Sequence, residues 1–110
     1  GSVTLVFGGR HSSTGYSNDV WALSLPPHGA ADGARWTLLD AGGDWSDGSR
    51  PAPRNHHTAV MLDNYMIVYG GRSLHSSLAV HNDIWAFDAI EATWALLQPS
   101  SGPSPPGRME

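Results

Sequence analysis

No cysteine occurs among the 110 residues. That excludes a disulfide framework, a thiolate metal site and a cysteine nucleophile. Lysine is absent too, so all six basic residues are arginine. Arginine makes planar, bidentate contacts that lysine cannot. Charged residues are only 15% of the chain and the net charge is -4, which argues against a nucleic-acid surface. No apolar run approaches the roughly 20 residues of a membrane helix. No leader-like segment opens the chain, and no membrane partner is expected. There is no Asn-x-Ser/Thr sequon. The missing cysteines and sequons lean towards an intracellular, cytoplasmic setting. No Gly-x-Gly-x-x-Gly or Walker pattern surrounds the glycines, so they are not read as phosphate loops.

What is abundant is glycine and proline, 13 and 8 residues, alongside 40% hydrophobic residues. This suits a turn-rich domain with a buried core. Laid on itself, the chain repeats. Val6-Phe7-Gly8-Gly9-Arg10 matches Val68-Tyr69-Gly70-Gly71-Arg72, and Asn18-Asp19-Val20-Trp21-Ala22 matches Asn82-Asp83-Ile84-Trp85-Ala86. Trp36-Thr37-Leu38-Leu39 matches Trp94-Ala95-Leu96-Leu97, and Pro51-Ala52-Pro53-Arg54 matches Pro105-Pro106-Gly107-Arg108. The offsets are 62, 64, 58 and 54 residues. Order is kept while spacing drifts, so the matched blocks are structural and the lengths between them are loops. Repeats of about 50 residues built from short strands point to propeller blades.

The second repeat predicts a four-stranded antiparallel meander, labelled a to d. Strand a runs over 57–62, a two-residue turn Asp63-Asn64 follows, and strand b runs over 65–69. Strand c covers 83–87 and strand d covers 93–97. A helix over 82–97 is the rival, but β-branched and aromatic residues between Pro and Gly flanks favour strands. The first repeat predicts strands b (3–7), c (19–25) and d (35–39), with no strand a. The domain reading is a partial repeat at 1–40, an inter-blade loop at 41–53, a complete repeat at 54–98, and a linker with the start of a further repeat at 99–110.

These blocks resemble the kelch-repeat family. The resemblance rests on the double glycines (Gly8-Gly9, Gly70-Gly71), the strand-d tryptophans (Trp36, Trp94) and Phe87, the aromatic seven positions before Trp94. It rests also on Pro53-Arg54-Asn55-His56-His57, which stands for the family's Pro-x-Arg-x-x-His entry to strand a through Arg54 and His57, with Arg108 repeating Arg54. In the first repeat the insertion 26–34 breaks the spacing and Leu23 replaces the aromatic. The resemblance implies an all-β fragment of a kelch-type β-propeller, about two four-stranded antiparallel blades, the first lacking strand a. It also implies further kelch blades as neighbours and a structural role for His57. Glycines after a strand permit positive φ and let bulky groups lie against bare main chain, with Trp94 expected over Gly70-Gly71. Trp21, Trp36, Trp85 and Trp94 are expected in the core. Trp45, in the loop 41–50, reads either as a solvated side chain or as an exposed contact residue.

Candidate chemistry is thin. His56 and His57 are adjacent, so on a strand they point to opposite faces and make a poor metal pair. His75 and His81 share a loop without a carboxylate at ligand spacing. Asp19 and Asp83 recur at the start of strand c, which predicts an Asx-type bond to nearby backbone. Arg54 and Arg108 recur before strand a, which predicts a blade-to-blade contact. No catalytic residue, cofactor or metal is expected. The chain reads as a protein-binding scaffold, not an enzyme, with its long b–c and d–a loops at one end of the blades. Those loops carry Arg10, His11, Tyr16, Trp45, Arg50, Arg72, His75 and His81, and Arg10 with Arg72 could grip one acidic partner. The alternative is part of a propeller enzyme that acts on sugars or a metal, with its site on other blades. Fewer than two complete repeats would leave apolar faces uncovered, so the isolated chain is expected to be marginal, self-associating or molten.

Overall fold

The computed structural model describes residues 2–10, 15–27, 33–73, 79–80 and 82–97. Two antiparallel sheets stand side by side. The first contains β1 (Ser2–Arg10), β2 (Tyr16–Leu25) and β3 (Arg35–Asp40) in that order. The second contains β4 (Thr58–Leu62), β5 (Tyr65–Tyr69), β8 (Ile84–Asp88) and β9 (Thr93–Leu97). Between β5 and β8 a short hairpin pairs β6 (Arg72–Ser73) with β7 (Ala79–Val80). Among the described residues no helix is long and apolar enough to cross a membrane.

The turns explain the meander. Leu62 pairs with Tyr65 across Asp63-Asn64, the tightest hairpin the backbone allows, and Asp63 takes a φ of 54° to close it. Asp88 pairs with Thr93, and its carboxylate accepts from the Ile90 and Glu91 amides at 2.9 and 3.2 Å. The region 82–97 thus forms strands, as the β-branched and aromatic content predicts.

The first sheet is longer than expected. β1 runs through Gly8 and Gly9 to Arg10, which pairs with Tyr16, and the register shifts between Phe7 and Gly9. The double glycine is therefore a bulge inside the ladder, with φ of 68° and 109°, not the end of the strand. A bulge keeps the pairing while it adds twist. The b–c loop of this sheet is correspondingly shorter than 10–17. In the second repeat, β6 and β7 occupy part of what reads in sequence as one loop.

Strand alternation sends one face of each sheet to the shared core. Phe7 and Val20 meet Met66, Val68, Trp85 and Phe87, with Leu5, Leu39 and Trp94 packed against them. Trp94 is the hub: its ring centroid lies 4.9 Å from Phe87, 5.0 Å from Phe7 and 6.1 Å from Trp85. These edge-on and tilted contacts suit the aromatic quadrupoles.

Two of the four expected core tryptophans are not in the core. Trp21 is 36% exposed and Trp36 is 57% exposed, whereas Trp85 is only 5% exposed. Trp21 and Trp36 pack on each other at 6.5 Å on the side of the first sheet that faces away from the second. Sequence equivalence gave them the same role as Trp85 and Trp94, but among the described residues no sheet lies across from them. Trp94→Ala should cost about 3–5 kcal/mol, as for other buried aromatics, while Trp36→Ala in dilute monomeric chain should cost less than about 1 kcal/mol. Urea unfolding followed by far-ultraviolet circular dichroism measures both; equal losses would refute this assignment of faces.

Candidate functional site

The segment between β3 and β4 joins the two sheets and forms part of the end that carries the long loops. Its first half is ordered by carboxylates and one amide. Asp40 Oδ1 accepts from the Gly42 amide at 3.1 Å and from Arg50 Nη1 at 2.6 Å, so the loop's beginning grips its end. Asp40 Oδ2 accepts from Trp94 Nε1 at 3.1 Å, which fixes the same carboxylate to the second sheet. Asn18, buried in β2, donates Nδ2 to the carbonyls of Gly43 and Pro51, each at 3.0 Å, and accepts from the Gly43 amide at 3.0 Å. A buried side-chain amide satisfied this fully can hold a loop to a strand at little desolvation cost.

The loop's crest is built from Asx turns. Asp44 Oδ1 accepts from the Ser46 amide at 2.9 Å and its hydroxyl at 2.8 Å, and Asp47 Oδ1 accepts from the Ser49 amide at 3.0 Å. The hydrogen bonds from Ser46 hold the Asp44 carboxyl below the usual range, and those from Ser49 do the same for Asp47. Gly48 N donates to Trp45 O at 3.1 Å. Trp45 stands on this crest, 38% exposed, between two ionised carboxylates.

The second half of the segment stitches the sheets together. Arg54 N donates to Ser17 O at 3.2 Å and Gly9 N donates to Arg54 O at 2.8 Å, both reaching the first sheet. One residue on, Asn55 and Arg72 exchange amide bonds of 3.0 and 2.9 Å on the second sheet's side. The Arg54 guanidinium is buried. It donates to both Asp83 oxygens at 2.7 and 3.0 Å and to Gly70 O at 2.9 Å. So the blade-to-blade contact of Arg54 is made by its backbone, while its side chain locks the second sheet.

Main chain, more than tryptophan, is what crowds the double glycines. A Cβ on Gly8 would meet Arg54 O at 2.8 Å, and one on Gly71 would meet Asn55 O at 2.8 Å. Asp19 and Asp83 each accept from an indole two residues on, Trp21 Nε1 and Trp85 Nε1, both at 2.9 Å. Local bonds from backbone amides are made by the loop aspartates Asp44 and Asp47. The Asn-Asp-x-Trp repeat carried this pairing as a signal, because the i, i+2 spacing puts Asp and Trp on one strand face.

Of the expected partner-binding residues, Trp45 and Arg10 are exposed, Tyr16 and Arg72 are half-buried, and Arg50 is tied to Asp40. Arg50 staples the end of the loop to its beginning through Asp40. His11, His75, His81 and Arg108 lie outside the described residues. His56 is exposed, with φ of 59°. His57 is half-buried, with its ring edge-on to Phe7 at 5.1 Å. Among the described residues no group of three or more His, Cys, Asp or Glu could hold a metal ion.

The comparisons with known proteins agree with this geometry. The family model described as the KLHDC2/KLHL20/DRC7 Kelch-repeats domain matches residues 1–110. The chain belongs to the kelch-repeat family. Tip elongation aberrant protein 1 of Schizosaccharomyces pombe is 28% identical over 109 residues, 98% of this chain and 8% of that protein. The flagellar outer-arm dynein alpha chain of Chlamydomonas reinhardtii is 32% identical over 81 residues, 74% of this chain and 2% of that one. Human Kelch domain-containing protein 3 is 26% identical over 100 residues, 91% of this chain and 23% of that protein. The chain thus spans less than a quarter of these curated relatives. The all-β kelch fold is that of a propeller fragment, and kelch repeats are generally protein-interaction modules.

Two predictions follow from the stitched segment. Arg54→Ala leaves Asp83 without its cation and should cost about 3 kcal/mol or more, whereas Arg50→Ala, at a partly exposed pair, should cost about 1 kcal/mol or less. His57 supplies a pH dependence. Burial, then the nearby Arg54 charge, holds its ring below the ordinary 6.5, against a bond with Phe7 that raises it. The folded chain favours the neutral ring, so the unfolded chain takes up the proton first as pH falls. Stability should be full above about pH 6.5 and decline below it. Urea midpoints at pH 7.5 and 5.5 should differ, and His57→Gln should reduce that difference.

Proposed function

We propose that the long-loop end of these kelch blades binds a protein partner, with Trp45 as its anchor. The observation that supports this most is the order of the loop around it. Asp40, Asn18, Asp44 and Asp47 fix the backbone while the indole stays 38% exposed. A large side chain held ready before binding loses little entropy on contact, and tryptophan and arginine are over-represented among interface hot spots. Arg10 at the end of β1 and Tyr16 opposite it extend the surface. Arg72 begins the equivalent loop of the second sheet, and His11, His75 and His81 belong to the same loops in sequence. The role is binding, with no catalytic step.

The opposite end is the comparison surface, because the second sheet's turns there are tight and expose Ile90, 75% accessible in the β8–β9 turn. Trp45→Ala and the pair Arg10→Ala/Arg72→Ala should each weaken partner binding by about 1–2 kcal/mol or more. Ile90→Asp should leave binding unchanged. Quantitative mass spectrometry of proteins co-purified with each variant checks this. If Ile90→Asp alone abolishes capture, the binding end has been assigned wrongly.

A further inference from the structure

One histidine is held by both blades at once. His57 directly precedes β4 of the second sheet, and its ring lies edge-on to Phe7 of the first at 5.1 Å. The double glycines of both blades crowd it. A Cβ on Gly8 would meet His57 Cε1 at 3.4 Å, and one on Gly71 would meet His57 Cβ at 2.9 Å. A bond with the Phe7 backbone ties the ring to β1. Its Nδ1 is buried and, among the described residues, has no hydrogen-bond partner. Just before it, His56 holds a φ of 59°, which is uncommon for a residue other than glycine. The segment 54–57 is thus held by what it touches more than by its own backbone preference.

The surroundings of this ring disfavour a second proton. The neutral ring leaves Nδ1 as a lone pair. The protonated ring places an N–H there, buried with no acceptor among the described residues. The neighbouring charges are cations. Arg54 and His56 both oppose protonation, while the bond with the Phe7 backbone works the other way. β1 brings Arg10, and Tyr69 and Arg72 flank the second glycine pair. The carboxylate of the joint, Asp83, is engaged by Arg54 and by Trp85 Nε1. Each sheet has a ladder of its own. Across the joint the main-chain bonds are those of Gly9 N to Arg54 O and Arg54 N to Ser17 O. We propose that His57 is a proton-operated latch between the two blades. Neutral, it closes the contact of β1 with residues 54–57; protonated, it releases that contact while each sheet keeps its ladder. The released segment continues from the Trp45 loop, so the placement of that loop follows the latch. That consequence rests on the binding role proposed above, whereas the latch itself does not.

Native-state hydrogen exchange of the intact protein, resolved to single amides, tests this. An open joint returns His57 to its ordinary value of 6.5, and the closed joint holds it lower. Opening therefore becomes easier as pH falls below about 6.5, by at most about tenfold between pH 7.5 and 5.5. The protection factors of the Gly9 and Arg54 amides, whose bonds cross the joint, should fall towards that limit. They should also respond little to low urea, because local opening exposes little surface. The amides of β5, inside the second sheet, should stay better protected and fall steeply with urea. His57→Phe keeps an aromatic ring beside Phe7 and cannot take a proton, so it should abolish the pH effect. His56→Gln should retain it. The comparison of amides within the wild type decides the matter even if His57→Phe misfolds. Joint amides that exchange only together with β5, with equal protection and urea slope, would overturn the proposal. So would protection factors that do not change with pH, or a pH effect that persists in His57→Phe.

Discussion

The structure depends on how one buried guanidinium is satisfied. Arg54 sits between two sheets, where an unpaired cation would be costly. Four of its five N–H donors are met, by the two Asp83 carboxylate oxygens, the Gly70 carbonyl and the Ala52 carbonyl. With the side chain fixed in the second sheet, the backbone of the same residue can pair with Ser17 and Gly9 in the first. One residue therefore joins a side-chain lock in one sheet to a main-chain ladder in the other. Gly8 is required because a Cβ there would collide with the Arg54 carbonyl. Arginine is required because a lysine ammonium cannot span two carboxylate oxygens and a carbonyl in one plane.

The same residue types have different fates in the two repeats, and the cause lies outside either repeat. Trp85 and Trp94 are covered because Phe7 and Leu5 of the first sheet pack towards them. Among the described residues, the Trp21 and Trp36 rings meet each other on the open face. Burying an aromatic removes roughly 150–250 Å² from water, and most of that gain is available to Trp94 and not to Trp36. Repeat architectures work this way: each unit has little stability alone and gains it from the neighbour that covers its face. The blade is the unit of sequence, but the interface between blades is the unit of stability.

This division sets what was legible in the sequence. Strand existence and order could be read because alternation, the Asp63-Asn64 turn and the recurring blocks all concern local backbone. The positions of β5 and β9 follow directly from their β-branched and aromatic runs. Uncovered apolar faces are expected from the repeat count, but identical motifs do not say that Trp21 and Trp36 lie on one of them. The role of Asn18 was hidden for a related reason. Its equivalent Asn82 is exposed, so repetition disguised a clamp that depends on Gly43 and Pro51, residues of a loop that does not align. Arg50 looked like a contact residue because it is a charge in a polar loop; only its 2.6 Å approach to Asp40 identifies it as part of the loop's frame.

The loop around Trp45 shows how binding capacity arises without a pocket. A surface loop has few apolar contacts to hold it, so its order must come from hydrogen bonds. Here the strand ends provide fixed points at Asp40 and Asn18, and short polar side chains in the loop satisfy its own amides. The indole stays 38% exposed, which leaves apolar area available to another molecule. The same Asp40 that closes the loop also accepts from Trp94, the hub of the aromatic core. Core packing and loop position thus share one carboxylate. The loop is positioned by the contact between the two sheets, and each further blade that rigidifies that contact also stiffens the surface that carries Trp45.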